Sequence, residues 1–176
     1  VLRRMSGRAA ARVTIERASL AHAAALRDAI DLVARERVYL ATLEAFPLAD
    51  VERFVAEIAD GAGVQFVAVA AGHVIGWIDI VRNPRDGVGH CGTLGMGLLP
   101  DFRGRGLGAE LLGRAVDAAS KAGITRIELE AFATNRRAIK LYERAGFSTE
   151  GVKKRARVLD GRADDMVCMA LLLEDG

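Results

Sequence analysis

The amino-acid sequence predicts an α/β (α+β) fold, a mixed sheet of about seven strands with about four helices on its faces. Three observations point there. The hydrophobic period switches repeatedly between about 3.6 and 2 along the chain, in the order β-α-α-β-β-β-α-β-α-β-β. Two pairs of apolar runs are joined by turns short enough for hairpins. One apolar run hands over to an amphipathic helix through the glycine-rich "RGRGLG".

Taken in order, "RVTIERA" (12–18) alternates as a first strand. Leu26, Ile30 and Val33 then recur at helical spacing, with Arg27, Asp28, Asp31 and Arg35 opposite. Val51, Phe54, Val55, Ile58 and Ala59 form the apolar stripe of a second helix, for which Asp50 is the expected N-cap. "VQFVAVA" (64–70) and "VIGWIDIV" (74–81) read as an antiparallel hairpin around "AGH". "TLGMGLLP" (93–100) is the next apolar run, and a helix follows from about Gly106 to Lys121. Gly123 suits its C-terminal stop. "TRIELEAF" (125–132) alternates as a strand, Asn135–Ala145 reads as a helix ended by Gly146, and a hairpin turning at "DGR" closes the chain.

The totals bound the function. A chain of 176 residues, 51% hydrophobic, suits one domain, expected over 13–176 behind a disordered basic leader at 1–12 in which Met5 is the candidate natural start. No apolar run reaches the ~18–20 residues of a membrane span, and the leader lacks the apolar core of a signal peptide. Cys91 and Cys168 are far apart and without metal-ligand spacing, which predicts reduced thiols in a cytoplasmic protein and no metal site. A net charge of +2 gives no case for nucleic acid.

The glycines carry the chemistry. Gly104, Gly106 and Gly108 stand where a strand hands over to a helix, whose first N–H groups lack intrahelical partners. Glycine lets an anion approach such groups closely, and Arg103 and Arg105 can add charge-assisted hydrogen bonds. A helix N-terminus alone is worth only about 0.3–2 kcal/mol to an anion, so an amide cradle must supply most of the grip. The expectation is a phosphate or pyrophosphate site. The spacing is neither the Gly-x-Gly-x-x-Gly of dinucleotide folds nor a P-loop, although Glu128, twenty residues past Gly108, would suit a ribose-binding acid. A plain tight turn is the other alternative.

"RGRGLG", with Arg103, Gly106 and Gly108, resembles the acyl-CoA signature Gln/Arg-x-x-Gly-x-Gly/Ala of the GNAT acyltransferase superfamily. "NRRAIKLYERAGF" (135–147) is similar to that family's second signature, about thirty residues on, and the likeness spans residues ~13–173. The resemblance implies a mostly antiparallel seven-stranded sheet splayed between its fourth and fifth strands, with acetyl-CoA (coenzyme A) bound in the gap. It implies that main-chain groups of Met96, Gly97, Leu98 and Leu99 pair with pantetheine, with amides near Met96–Leu98 polarising the thioester oxygen. It likewise puts residues 103–109 (Arg103, Gly104, Arg105, Gly106, Leu107, Gly108, Ala109) at the pyrophosphate, and Asn135 and Ala138 beside the cofactor. Tyr142 matches the tyrosine that protonates the departing thiolate, a sensible role for a phenol of pKa ~10 facing a thiol of pKa ~8.5. Asn135 as an ordinary N-cap and Tyr142 as a half-buried core residue are the structural alternatives.

The resemblance further implies direct attack by a primary amine, an amino acid or related small molecule; a protein N-terminus or a non-catalytic acyl-CoA-binding module are the alternatives. An amine of pKa ~10.4 must lose a proton before it attacks, so a base or a water chain to one is needed. Many relatives carry a glutamate within His-x-x-Glu-Leu-Gly; here the stretch is "HCGTLG", with Thr93 in its place. Glu130 is the catalytic candidate, and it shares the field with Asp79, His90 and Glu44. Cys91 beside His90 is no nucleophile pair, because adjacent strand residues point to opposite faces. The segment "RERVYLATLEAF" (35–46) corresponds to the acceptor side, where Glu36, Tyr39 and Glu44 are the candidate lining residues. Family members often form homodimers, and "KKRAR" (153–157) on a terminal strand is a candidate edge.

Overall fold

The computed structural model describes residues 12–173. Its strands are β1 Val13–Arg17, β2 Gly63–Ala70, β3 His73–Arg82, β4 Cys91–Leu98, β5 Arg126–Phe132, β6 Ser148–Leu159 and β7 Arg162–Leu172. Its α-helices are α1 Ala23–Ala34, α2 Leu48–Glu57, α3 Leu107–Lys121 and α4 Arg136–Arg144. The strands form one sheet in the order β1-β2-β3-β4-β5-β7-β6. All neighbours are antiparallel except β4 and β5. The expected element order is present throughout the described residues; the expected leader at 1–12 lies outside them, Arg12 excepted. Among the described residues no helix is long and apolar enough to cross a membrane.

Local chemistry sets the element ends. The β2–β3 turn places Ala71 and Gly72 at positive φ (49° and 77°), and the β6–β7 turn does the same with Asp160 and Gly161 (51° and 73°). Both are twist-matched two-residue hairpin loops; "DG" favours the second, whereas Ala71 in the first takes a left-handed φ that a side chain resists. α3 ends with Gly123 at φ +79°, its N–H donating to Ser120 and that of Ile124 to Ala119. α4 ends the same way at Gly146, where Phe147 donates back to the Tyr142 carbonyl. Two expectations shift. Pro47, not Asp50, caps α2: its carbonyl accepts from both Asp50 and Val51, and Asp50 lies in the first turn paired with Arg53 at 2.7 Å. The fourth strand runs 91–98 rather than 93–100, because Pro100 has no N–H to donate and opens a 3₁₀ turn instead.

β3 is buried at consecutive positions from Val74 to Ile78, so both faces of the sheet centre are covered; α1 and α3 both pack on it. The feature that positions the site is a divergence. β4 and β5 pair only through Cys91–Thr93 and Arg126–Glu128. Beyond that, β4 follows β3 to Leu98 while β5 follows β7 to Phe132, and a wedge opens between them.

Candidate active site

The wedge is a cleft of about 620 Å³, lined by β4, the glycine turn, β5, α4 and the segment after α1. Register decides which main-chain groups of β4 face it. Leu99 N–H donates to Ile75, and Asn83 N–H to Cys91, so the pairs 75–99, 77–97, 79–95, 81–93 and 83–91 exchange the β3–β4 hydrogen bonds. The main-chain groups of Leu94, Met96 and Leu98 therefore point the other way, into the wedge. Of the expected pantetheine contacts, Met96 and Leu98 offer free-edge groups, whereas Gly97 and Leu99 turn theirs to β3. Gly97 lines the cleft and Leu99 does not. A side chain at 97 would collide with Trp77, which accounts for the glycine.

At the wedge's end, Gly104 and Gly106 adopt φ +76° and +84°, a conformation side chains resist. The N–H groups of residues 104–108 find no partner among the described residues, while Arg103 N–H is held by Pro100 and Ala109 N–H by Gly106. Five consecutive free amides at a helix start make a concave anion nest. The sequence-based range of 103–109 thus narrows by one amide at each end. Gly108 sits against Leu98, Met96 and Leu141, packing α3 onto β4 and α4.

The guanidinium of Arg103 is engaged elsewhere. It forms a two-pronged pair with Glu36 (2.5 and 2.8 Å), donates to the Leu98 carbonyl at 2.8 Å and stacks over Tyr39 at 4.6 Å. Positive charge beside the nest comes instead from Arg137, which lies over Gly104, and from Lys140 and Arg144 farther along the cleft. Sequence reasoning missed these three. Their signal was there: positions 137, 140 and 144 share one face of α4.

Tyr142 is buried, lines the cleft and packs edge-tilted on Phe147 with centroids 5.7 Å apart. Its hydroxyl has no hydrogen-bond partner among the described residues, and burial pushes its pKa up to about 12, so it keeps its proton at neutral pH. Asn135 and Ala138 also line the cleft; Asn135 Oδ1 caps α4 by accepting from Ala138 N–H at 3.3 Å. Glu130 reaches the cleft, but its carboxylate is paired with Lys153.

The segment 35–46 is clasped from three sides. Glu36 holds Arg103, Arg37 pairs with Asp160 at 2.7 Å, and Arg157 donates to the Val38 carbonyl at 3.0 Å while resting on Phe132 at 3.7 Å. Tyr39, Leu40 and Ala41 thereby join Val33, Phe132 and Met166 in the cleft wall. Of the candidate acceptor residues, Tyr39 lines the cleft, Glu36 serves as a tether, and Glu44 is exposed outside it, 4.0 Å from Arg35.

A free strand edge, an amide nest and a buried phenol in one cleft suit a diphosphate ester carrying a peptide-like arm, with its reactive end near Tyr142. The comparisons agree. The family model described as "Acetyltransferase (GNAT) family" matches residues 23–147. The L-amino acid N-acetyltransferase AaaT of Escherichia coli K12 is 30% identical over 141 residues, 78% of this chain and 85% of the relative. The ribosomal protein bS18-alanine N-acetyltransferase of the same strain is 38% identical over 73 residues, and the chain spans about half (49%) of that relative's length. A GNAT acetyltransferase from Streptococcus pneumoniae superposes with TM-score 0.87 at 26% identity, over 92% of this chain and 100% of that one. A putative acetyltransferase, yncA, from Salmonella typhimurium, solved with acetyl-CoA, gives 0.86 at 21% identity, over 94% and 96%. The chain belongs to the GNAT acetyltransferase family and is an acyl-CoA-dependent N-acetyltransferase.

Proposed function

We propose that the chain moves an acetyl group from acetyl-CoA directly to the primary amine of a small molecule, an amino acid or a related amine. The observation that carries the donor half is the run of free amides at 104–108 beside the free edge of β4. Those amides and Arg137 hold the diphosphate, and the main-chain groups of Met96 and Leu98 take the pantetheine arm. The Leu98 carbonyl is already bonded to Arg103, which leaves its N–H and the Met96 pair for this work. A free N–H on this edge also polarises the thioester oxygen.

Tyr142 supplies the leaving-group hydrogen bond. Full transfer from a phenol near pKa 12 to a thiolate of pKa ~8.5 is uphill by roughly 5 kcal/mol, so the hydroxyl donates while it regains a proton from the amine nitrogen. The small-molecule half rests on the acceptor end. The clasped segment 35–46 closes over a wall of Val33, Tyr39, Leu40, Ala41, Phe132 and Met166, which suits a compact acceptor with an apolar side chain. The amino-acid acetyltransferase among the relatives supports the same class. Free thiols at Cys91 and Cys168 suit the reducing cytoplasm.

Thiol release from acetyl-CoA, followed over amino acids, polyamines, aminoglycosides and N-terminal peptides, tests this reading. Turnover is expected with apolar amino acids. Turnover with alanine-initiated peptides alone would move the assignment to a protein N-terminal acetyltransferase.

A further inference from the structure

We propose that Asp79, on β3, is the group that takes the proton from the incoming amine. The inference rests on the amine-acetylation reading above.

The carboxyl group owes its position to register. Asp79 pairs with Gly95 on β4, and Gly95 lines the cleft. A Cβ at position 95 would sit 3.2 and 3.7 Å from the Asp79 carboxylate oxygens. Asp79 does not itself line the cleft: it stands behind Gly95, and because glycine has no side chain nothing at that position blocks the way between the carboxylate and the cleft wall. The face is the right one. Met96 and Leu98 touch Gly108 of α3, so the alternate positions Thr93, Gly95 and Gly97, with Asp79 and Trp77 beside them, face away from α3. On that side α1 packs over β3 and β4 and leads into the acceptor segment 35–46.

Among the described residues no charged side chain pairs with it. β2 presents Gln65 opposite, β4 presents Thr93 and Gly95, and the packed face of α1 is apolar (Leu26, Ala29, Val33). Asp79 has no hydrogen-bond partner among the described residues, and Gln65 Oε1 beside it is likewise unpartnered. Burial without a compensating charge raises the Asp79 pKa to about 7, which suits a base working at neutral pH. The other candidates are occupied or exposed: Glu130 is held by Lys153, Glu44 stands in solvent 4.0 Å from Arg35, and exposed His90 precedes β4 at the end away from the nest.

The Asp79 carboxylate accepts one proton from the ammonium, directly or through one water, and releases it to solvent. The freed lone pair forms the C–N bond at the thioester carbon, and the C–S bond breaks with its electrons left on sulfur. The surplus N–H proton replaces the one that Tyr142 gives to sulfur.

The test compares the pH profile of kcat/KM for wild type and Asp79→Asn, using the best amine from the panel, with CoA binding by calorimetry and the melting temperature of both. Wild type is expected to show an acidic limb near pH 7. Asp79→Asn should lose that limb, fall roughly 10²–10⁴-fold at pH 7 and regain rate as pH nears the amine's own pKa, with CoA affinity unchanged and no lower melting temperature at pH 8. Retention of the limb in Asp79→Asn, at any level of activity, overturns the proposal. Absence of amine turnover by wild type overturns the reading beneath it instead.

Discussion

At the nest end of the cleft the working groups are main-chain: the amides of 104–108 and the free edge of β4 at Met96 and Leu98. At the acceptor end the structure hangs on side chains from distant elements: Glu36 on Arg103, Arg37 on Asp160 and Arg157 on the Val38 carbonyl. Each end is therefore vulnerable in its own way. A main-chain site tolerates changes in side-chain chemistry but depends on glycine where φ is positive. A side-chain clasp tolerates backbone variety but loosens when one charge is removed.

The largest expected effect lies where the two ends meet. Tyr142→Phe should lower kcat by roughly 10²–10⁴-fold while CoA affinity stays within about twofold. Because the hydroxyl has no hydrogen-bond partner among the described residues, the melting temperature should barely move. Unchanged kcat in steady-state assays would remove the tyrosine from the chemistry.

A stability measurement sharpens the acceptor side. The Asp79 pKa is about 7 folded and near 3.8 unfolded, so the folded state holds the proton more tightly. Its contribution is full below pH 3.8, declines between pH 3.8 and 7, and is gone above 7, a loss of at most about 4 kcal/mol. Asp79→Asn should therefore melt higher than wild type at pH 8 and no higher at pH 4.

Next comes the nest. A Cβ at Gly106 meets open space in the free protein, so Gly106→Val should cost about 1–2 kcal/mol through φ alone. CoA binding by calorimetry should weaken by more than about tenfold, because the added methyls stand where the diphosphate must approach. Intact binding by a folded variant would dismantle the nest assignment.

The smallest effect tests the clasp. Glu36→Gln leaves the partly buried Arg103 without its counter-charge, a penalty of about 1–3 kcal/mol. It should raise KM for the amine several-fold and leave CoA affinity intact. An altered CoA affinity with unchanged amine KM would show that the two ends are not separable in this way.

Much of the donor half was legible because its signals are local. "RGRGLG" shows a glycine turn before an amphipathic stripe, and Asn135 with Gly146 brackets a helix, both within a few residues of sequence. Two kinds of feature were not legible. Which β4 groups face the cleft depends on pairing with β3, and a one-residue change of register would exchange Met96 and Leu98 for Gly97 and Leu99. The fate of Arg103 was equally hidden, since its carboxylate partner lies 67 positions away; Arg37 and Asp160 are 123 apart.

The chain by itself determined the element order, the hairpin turns and the amide nest, because periodicity, turn chemistry and positive φ act over neighbouring residues. Which charges tether, which line the cleft and which stay unpaired was fixed by packing between elements. Those outcomes depend on distances between elements far apart in sequence, and there Glu36 became a clasp, Glu44 stayed outside and Asp79 came to stand over Gly95.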